Sequence, residues 1–146
     1  MGIEWEPHTV KTEDGWNITI FRLTGRAGIY SKLYEQDEHK DKLPLYFAHG
    51  SSSDASHWLF SWPPYLMDSG YEVWLGNYRG GTFGNSNDND DQMSLEERWD
   101  FSFAEMGKYD LPANVKRVLQ ESGKEKVTLL GFSQGTASTF YGLASM

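Results

Sequence analysis

The 146-residue sequence contains no cysteine, which removes disulfides, thiolate metal sites and a cysteine nucleophile together. Positive charge is scarce: 13 Lys and Arg stand against 21 Asp and Glu, for a formal net charge of −8. Phosphate backbones are held by Lys and Arg, so no nucleic-acid partner is expected, and the sequence offers no basic patch to an anionic membrane. No apolar run approaches the ~20 residues that span a bilayer, so stable membrane insertion is not expected. The N-terminal Met1-Gly2-Ile3-Glu4-Trp5-Glu6 lacks the basic and apolar regions of a signal peptide. There is no Gly-x-Gly-x-x-Gly behind a strand and no Walker Lys-Ser/Thr, which argues against a nucleotide. No cofactor or metal is expected.

Aromatic residues are plentiful. Six Trp, eight Tyr and eight Phe supply large burial per residue, so a hydrophobic content of only 38% still suffices for one folded domain. His8 to Thr12, Glu13-Asp14-Gly15 and Trp16 to Leu23 read as a β-hairpin, since Asp-Gly between two β-rich runs is a strong turn signal. Residues 31–42 are polar and predict a loop. Leu43 to Ala48 is a short apolar run suited to a buried strand. His57 to Asp68 predicts a short helix or helical turn in which Pro63-Pro64 must stand at a helix start.

Tyr71 to Leu75 is the next strand, and residues 84–92 form a polar loop. A long helix is expected after Pro112, with Leu111, Val115, Val118 and Leu119 on one face, Asp110 as its cap and Ser122-Gly123 at its end. Val127 to Leu130 is a strand, and Gln134 to Met146 a helix rich in small residues. Strands alternating with helices from residue 43 onward imply a parallel sheet behind the antiparallel hairpin. This is an α/β architecture.

The chemistry centres on Gly131-Phe132-Ser133-Gln134-Gly135, which follows a strand directly and opens a helix. That is the context of a nucleophile elbow, and with the α/β order above it predicts the N-terminal portion of an α/β-hydrolase fold. The turn holds the serine in a strained conformation, so Gly131 and Gly135 at its flanks must be small. The helix N-terminus brings amides and partial positive charge to a developing oxyanion. Acyl transfer needs two amide donors: one follows the nucleophile, here Gln134, and one lies on the loop after an earlier strand. His49-Gly50-Ser51 ends the predicted strand 43–48. Ser51 is the natural second donor through its backbone, Gly50 lets the loop approach substrate, and His49 reads as a loop-ordering residue in preference to a catalytic base. The catalytic residue is thus Ser133.

Gly70-Tyr71-Glu72-Val73-Trp74-Leu75-Gly76-Asn77-Tyr78-Arg79-Gly80 and Phe101-Ser102-Phe103-Ala104-Glu105-Met106-Gly107-Lys108-Tyr109-Asp110-Leu111-Pro112-Ala113 resemble the acid lipase family, which includes gastric and lysosomal acid lipases. Val10-Lys11-Thr12-Glu13-Asp14-Gly15-Trp16 resembles that family's entry hairpin. The resemblance implies Ser133 as nucleophile, Ser51 and Gln134 as oxyanion donors, lipid esters such as triacylglycerols and cholesteryl esters as substrates, and a secreted or lysosomal setting. The family usually carries His where Phe132 stands and an apolar residue where Ser51 stands.

In this fold the triad acid and histidine follow the serine, yet no Asp, Glu or His occurs after Ser133. His8, His39, His49 and His57 all precede it. The chain is therefore expected to be the N-terminal part of a lipase domain, inactive by itself. Its alternative is a non-catalytic scaffold or interaction protein derived from a lipase. With later strands absent, the strand before Ser133 is expected to be an open edge prone to self-association.

Asn85, Asn87, Asn89 and Glu96 fall at EF-hand ligand spacing, but Asp90 occupies the turn position that requires Gly, and a solvated acidic loop is the better reading. Arg79 is read as a buttress of the loop after its strand rather than as a substrate contact.

Overall fold

The computed structural model describes residues 2–27 and 42–145. The loop predicted over 31–42 therefore falls, but for Lys42, outside the described residues, as does His39. The hairpin forms as β1 (Ile3–Lys11) and β2 (Trp16–Arg26), antiparallel, with a register shift between Glu4 and Trp5. Thr12 and Asp14 close it: the Thr12 hydroxyl donates to Asp14 at 2.6 Å and accepts from the Trp16 amide at 2.8 Å.

The sheet continues through β3 (Pro44–Ala48), β4 (Glu72–Leu75) and β6 (Thr128–Gly131) in the spatial order β1-β2-β4-β3-β6, while β5 (Ser86–Asn87) pairs with the start of β2. β2 meets β4 antiparallel; β4 with β3 and β3 with β6 are parallel.

Side chains alternate across the sheet, as strand geometry requires, and this divides the core in two. Tyr46, Ala48 and Trp74 join Ile18, Ile20, Leu111 and Val118 on one face. Leu45, Phe47, Val73 and Leu75 join Leu23, Ala55 and Met67 on the other. The first face is covered by α4 (Leu111–Ser122), the second by a 3₁₀ turn (Ala55–Trp58) and α1 (Pro63–Asp68). Helices on both faces of a largely parallel sheet make a three-layer α/β domain. Pro63 and Pro64 do open α1, as their missing N–H groups demand.

The helix before β6 begins earlier than Pro112. Two short segments, α2 (Leu95–Trp99) and α3 (Phe103–Glu105), each start with a reciprocal capping box, Ser94 with Glu97 and Ser102 with Glu105. α3 then runs through a π-helical turn, Met106–Asp110, into α4 without a break. Asp110 is consequently not a cap. It has helical backbone angles, makes no side-chain cap bond, and turns its carboxylate into the core. The chain returns through Gly123 to β6 and ends in α5 (Gln134–Ser145).

Candidate active site

Ser133 occupies the turn between β6 and α5 with φ of +52°, a left-handed backbone that non-glycine residues rarely adopt. Its side chain is exposed. The turn is held from two sides. The Phe132 amide donates to the Ala48 carbonyl at 3.0 Å, and the Gly135 and Thr136 amides donate to Phe132 and Ser133 carbonyls at 2.9 Å each.

Both flanking glycines are sterically enforced. A β-carbon at Gly135 would sit 2.4 Å from the Ala48 carbonyl oxygen, and one at Gly131 2.7 Å from the Thr136 Cα. The contact at Gly135 sets α5 directly against the end of β3, so the loop leaving β3 passes beside Ser133. A β-carbon at Gly50 would be 3.2 Å from the Ser133 Cβ and 3.0 Å from the Phe132 ring.

The His49-Gly50-Ser51 loop and the start of α5 share one cleft of about 320 Å³, lined by His49, Gly50, Ser51 and Gln134 together with Tyr78 and Met106. As the first residue of α5, Gln134 has an N–H without an intrahelical carbonyl to bond. Its side-chain amide donates to the Met106 sulfur at 3.1 Å. Ser51 lies exposed in a turn.

His49 is buried. Its Nδ1 donates to the Gly50 carbonyl at 2.8 Å and its ring packs edge-on against Tyr78. Burial holds this imidazole below its ordinary pKa, outweighing the Gly50 carbonyl and Asp54, both of which favour the cation. The exposed ring of His57 stacks on Phe132, with centroids 5.5 Å apart. Among the described residues no hydrogen bond joins the Ser133 hydroxyl to an imidazole.

On the other side of the cleft, Arg79 is 4% exposed and Asp110 fully buried. The guanidinium donates to Asp110 Oδ1 through Nε at 2.9 Å and Nη2 at 2.7 Å, and to Asp14 through Nη1 at 2.6 Å and Nη2 at 2.8 Å. The Arg79 amide donates to Asp110 Oδ2 at 3.0 Å. Its plane lies over Trp16 and Tyr109. Burial pushes the Asp110 carboxyl up to about 6 despite Arg79. At Asp14 burial also acts upward, but the hydrogen bonds from Arg79 and Thr12 overcome it and leave the carboxyl below its ordinary value. Arg79 therefore ties the loop after β4 to the hairpin turn and the π-turn, and each of its three guanidinium nitrogens bonds a protein carboxylate.

The polar loop is likewise turned onto its own chain. Asn87 donates to the Asp14 carbonyl at 3.2 Å and accepts from the Asn89 amide at 2.9 Å, while Arg98 binds Asp90 and Asn85. Asn85, Asn87 and Asn89 thus serve as turn and docking groups. The buried Asn77 and Asn114 have no counterpart in the sequence reading. Asn77 accepts from the Ala55 amide and donates to the Thr19 carbonyl, and Asn114 donates to the Tyr46 hydroxyl and the Asn77 carbonyl. Together they fix the loops at the cleft end of the sheet.

A family profile described as the alpha/beta hydrolase fold matches residues 44–144. The chain belongs to this family. A second profile, the partial alpha/beta-hydrolase lipase region, matches residues 1–62. Gastric triacylglycerol lipase of Mus musculus is 39% identical over an alignment of 145 positions that covers 95% of this chain and 35% of that protein. Lysosomal acid lipase/cholesteryl ester hydrolase of Homo sapiens is 34% identical over an alignment of 147 positions that covers 95% of this chain and 34% of that one.

The chain thus spans about a third of the length of the curated relatives it matches. An esterase from Pyrococcus furiosus superposes over 99% of this chain and 48% of its own with a TM-score of 0.66 at 16% identity, a likeness of fold. The acid-lipase resemblance and the α/β-hydrolase architecture expected from the sequence both hold.

Proposed function

We propose that this chain carries the nucleophile half of a lipid-ester hydrolase of the acid-lipase type, acting through an acyl-enzyme on Ser133. The observation that carries the reading is the Ser133 backbone itself, left-handed at a strand-to-helix turn whose flanking glycines leave no space for a side chain. A strain of this kind persists only where the surrounding structure enforces it. Here it presents the hydroxyl to solvent at the N-terminus of α5.

The amides of Gln134 and Ser51 are the proposed oxyanion donors, and the close approach of Gly50 to Ser133 puts the second loop within range. His49, neutral and bonded to its own loop, has an ordering role. Triacylglycerol and cholesteryl ester are named for the relatives, and a neutral lipid ester is the substrate class proposed here.

A serine hydroxyl is a weak nucleophile until a base takes its proton. No imidazole is bonded to Ser133 among the described residues, so the residues in hand bind and polarise but do not deprotonate. That observation also favours a second reading, a lipase-derived scaffold without turnover. In a protein that joins this chain to a histidine and an acid placed after α5, Ser133→Ala should lower ester hydrolysis by several orders of magnitude. Activity that survives the substitution removes Ser133 from the mechanism.

A further inference from the structure

A second cluster of titratable side chains lies away from the cleft, where β1 meets the last turn of α4. At its centre is His8, whose side chain is only 11% exposed. Its Nε2 donates to Glu6 Oε1 at 3.1 Å, and its ring lies against Trp74 with centroids 4.8 Å apart. The other ring nitrogen, Nδ1, stands 3.8 Å from Glu121 Oε1 on α4.

A separation of 3.8 Å is too long for a hydrogen bond. With the Nε2 proton committed to Glu6, a neutral ring turns a bare lone pair toward Glu121 and gains nothing there. A second proton, on Nδ1, converts the same geometry into an attraction between opposite charges.

The charges around the ring come from four elements. Arg22 on β2 lies 3.3 Å from Glu6 Oε1 on β1 and 3.3 Å from Glu72 Oε1 on β4. Arg117 reaches Glu121 along α4 at 3.2 Å. Glu72 is buried; its Oε1 accepts from Trp74 Nε1 at 2.8 Å, and its Oε2 has no hydrogen-bond partner among the described residues. Arg22 and Arg117 thus stand against Glu6, Glu72 and Glu121, and a proton on His8 evens the count. Burial acts upward on the Glu6 carboxyl, but His8 and Arg22 overcome it and leave that carboxyl below its ordinary value.

We propose that His8 is a pH-sensitive latch between strand β1 and α4, closed on Glu121 when the imidazole is charged and open when it is neutral. Imidazole is the side chain that changes charge between pH 5 and 8, so the latch closes on mild acidification. Glu6 sets the lower limit: its depressed carboxyl favours folding above the ordinary carboxyl range, and that contribution is lost in stronger acid. The latch involves neither Ser133 nor the cleft and is independent of the lipid-ester reading.

The test is a double-mutant cycle on the 146-residue chain, with thermal unfolding of the parent, His8→Gln, Glu121→Gln and the double variant at pH 5.5 and pH 8. The Arg117–Glu121 pair is lost at both pH values and the Glu6 bond is lost with His8, so both cancel in the cycle. At pH 5.5 the two substitutions should be coupled, the double variant falling no further than the worse single one. At pH 8 their effects should add. Glu121→Gln should lower the midpoint by roughly 2–4 °C more at pH 5.5 than at pH 8. That last comparison needs only the parent and a half-exposed substitution on α4, so it stands even where His8→Gln does not fold. A coupling that is absent at pH 5.5, or equal at the two pH values, would show that His8 merely packs on Trp74 and would overturn the latch. So would a Glu121→Gln deficit that fails to widen in acid.

Discussion

β4 and β6 are both four-residue strands that pair in parallel with β3, yet every residue of β4 is buried and none of β6 is. The difference lies in what stands beyond each. β4 has β2 on its far side, α1 and the 3₁₀ turn against one face, and the Arg79 network at its end. Among the described residues β6 is the last strand in the order, with β3 as its one strand neighbour. α5, which leaves β6, shows Phe140 and Leu143 to solvent. One flank of the central strand is thus locked by buried charge and packing, while the flank that presents Ser133 is held by glycine contacts, one row of backbone hydrogen bonds and the half-buried Leu129 and Leu130 against the two cores. Geometry at a site can be set by steric exclusion on an element that is otherwise thinly supported.

The largest effect should come from breaking the locked flank. Arg79→Ala leaves the buried Asp110 carboxylate without its counter-ion, a situation that costs about 3–5 kcal/mol. Urea unfolding should show that loss; a shift under about 1 kcal/mol would mean that water replaces the guanidinium and that the network is not what holds this flank.

On the other flank, Gly135→Ala forces a β-carbon onto the Ala48 carbonyl. The cost should be roughly 1–3 kcal/mol, typical of overpacking against backbone. The substitution should also release the Phe132 amide from Ala48, seen as faster amide exchange there. If exchange at Phe132 is unaltered, the contact is not what shapes the turn.

The smallest effect on stability, within about 0.5 kcal/mol, is expected from Thr128→Lys on exposed β6. Its effect should be on association. An unpaired strand edge templates pairing with another chain and a lysine opposes it, so the parent should show concentration-dependent light scattering that the variant reduces. A parent that stays monomeric at every concentration would show that this edge is protected in some other way.

Much of this was legible in the sequence because local signals and tertiary demands coincide. The Asp-Gly turn, the apolar runs at β3, β4 and β6, the proline pair of α1 and the glycines around Ser133 each state a local constraint that the fold obeys. α4 does begin with Pro112 in its first turn, but α3 and the π-turn lead into it without a break, so the continuous helix starts well before Pro112. The Ser102-to-Glu105 spacing was the signal that would have found the true start.

Asp110 looks like a cap by position. Its partner Arg79 is 31 residues away, and no periodicity reports a pairing at that distance. Asn77 and Asn114 were invisible for the same reason. The site was legible in its turn but not in its surroundings: the motif fixes the strand–serine–helix geometry, while the approach of Gly50 to Ser133 depends on the β3–β6 register.

The most direct test of the central claim, that these residues build a poised serine without a base, is to treat the purified chain with a fluorophosphonate probe and a p-nitrophenyl ester, reading the adduct by intact mass and the ester by release of nitrophenolate. The account predicts neither stoichiometric labelling nor catalytic turnover. Full labelling of Ser133 together with turnover would contradict it, and would mean that His57 or His49 reaches the serine from within this chain.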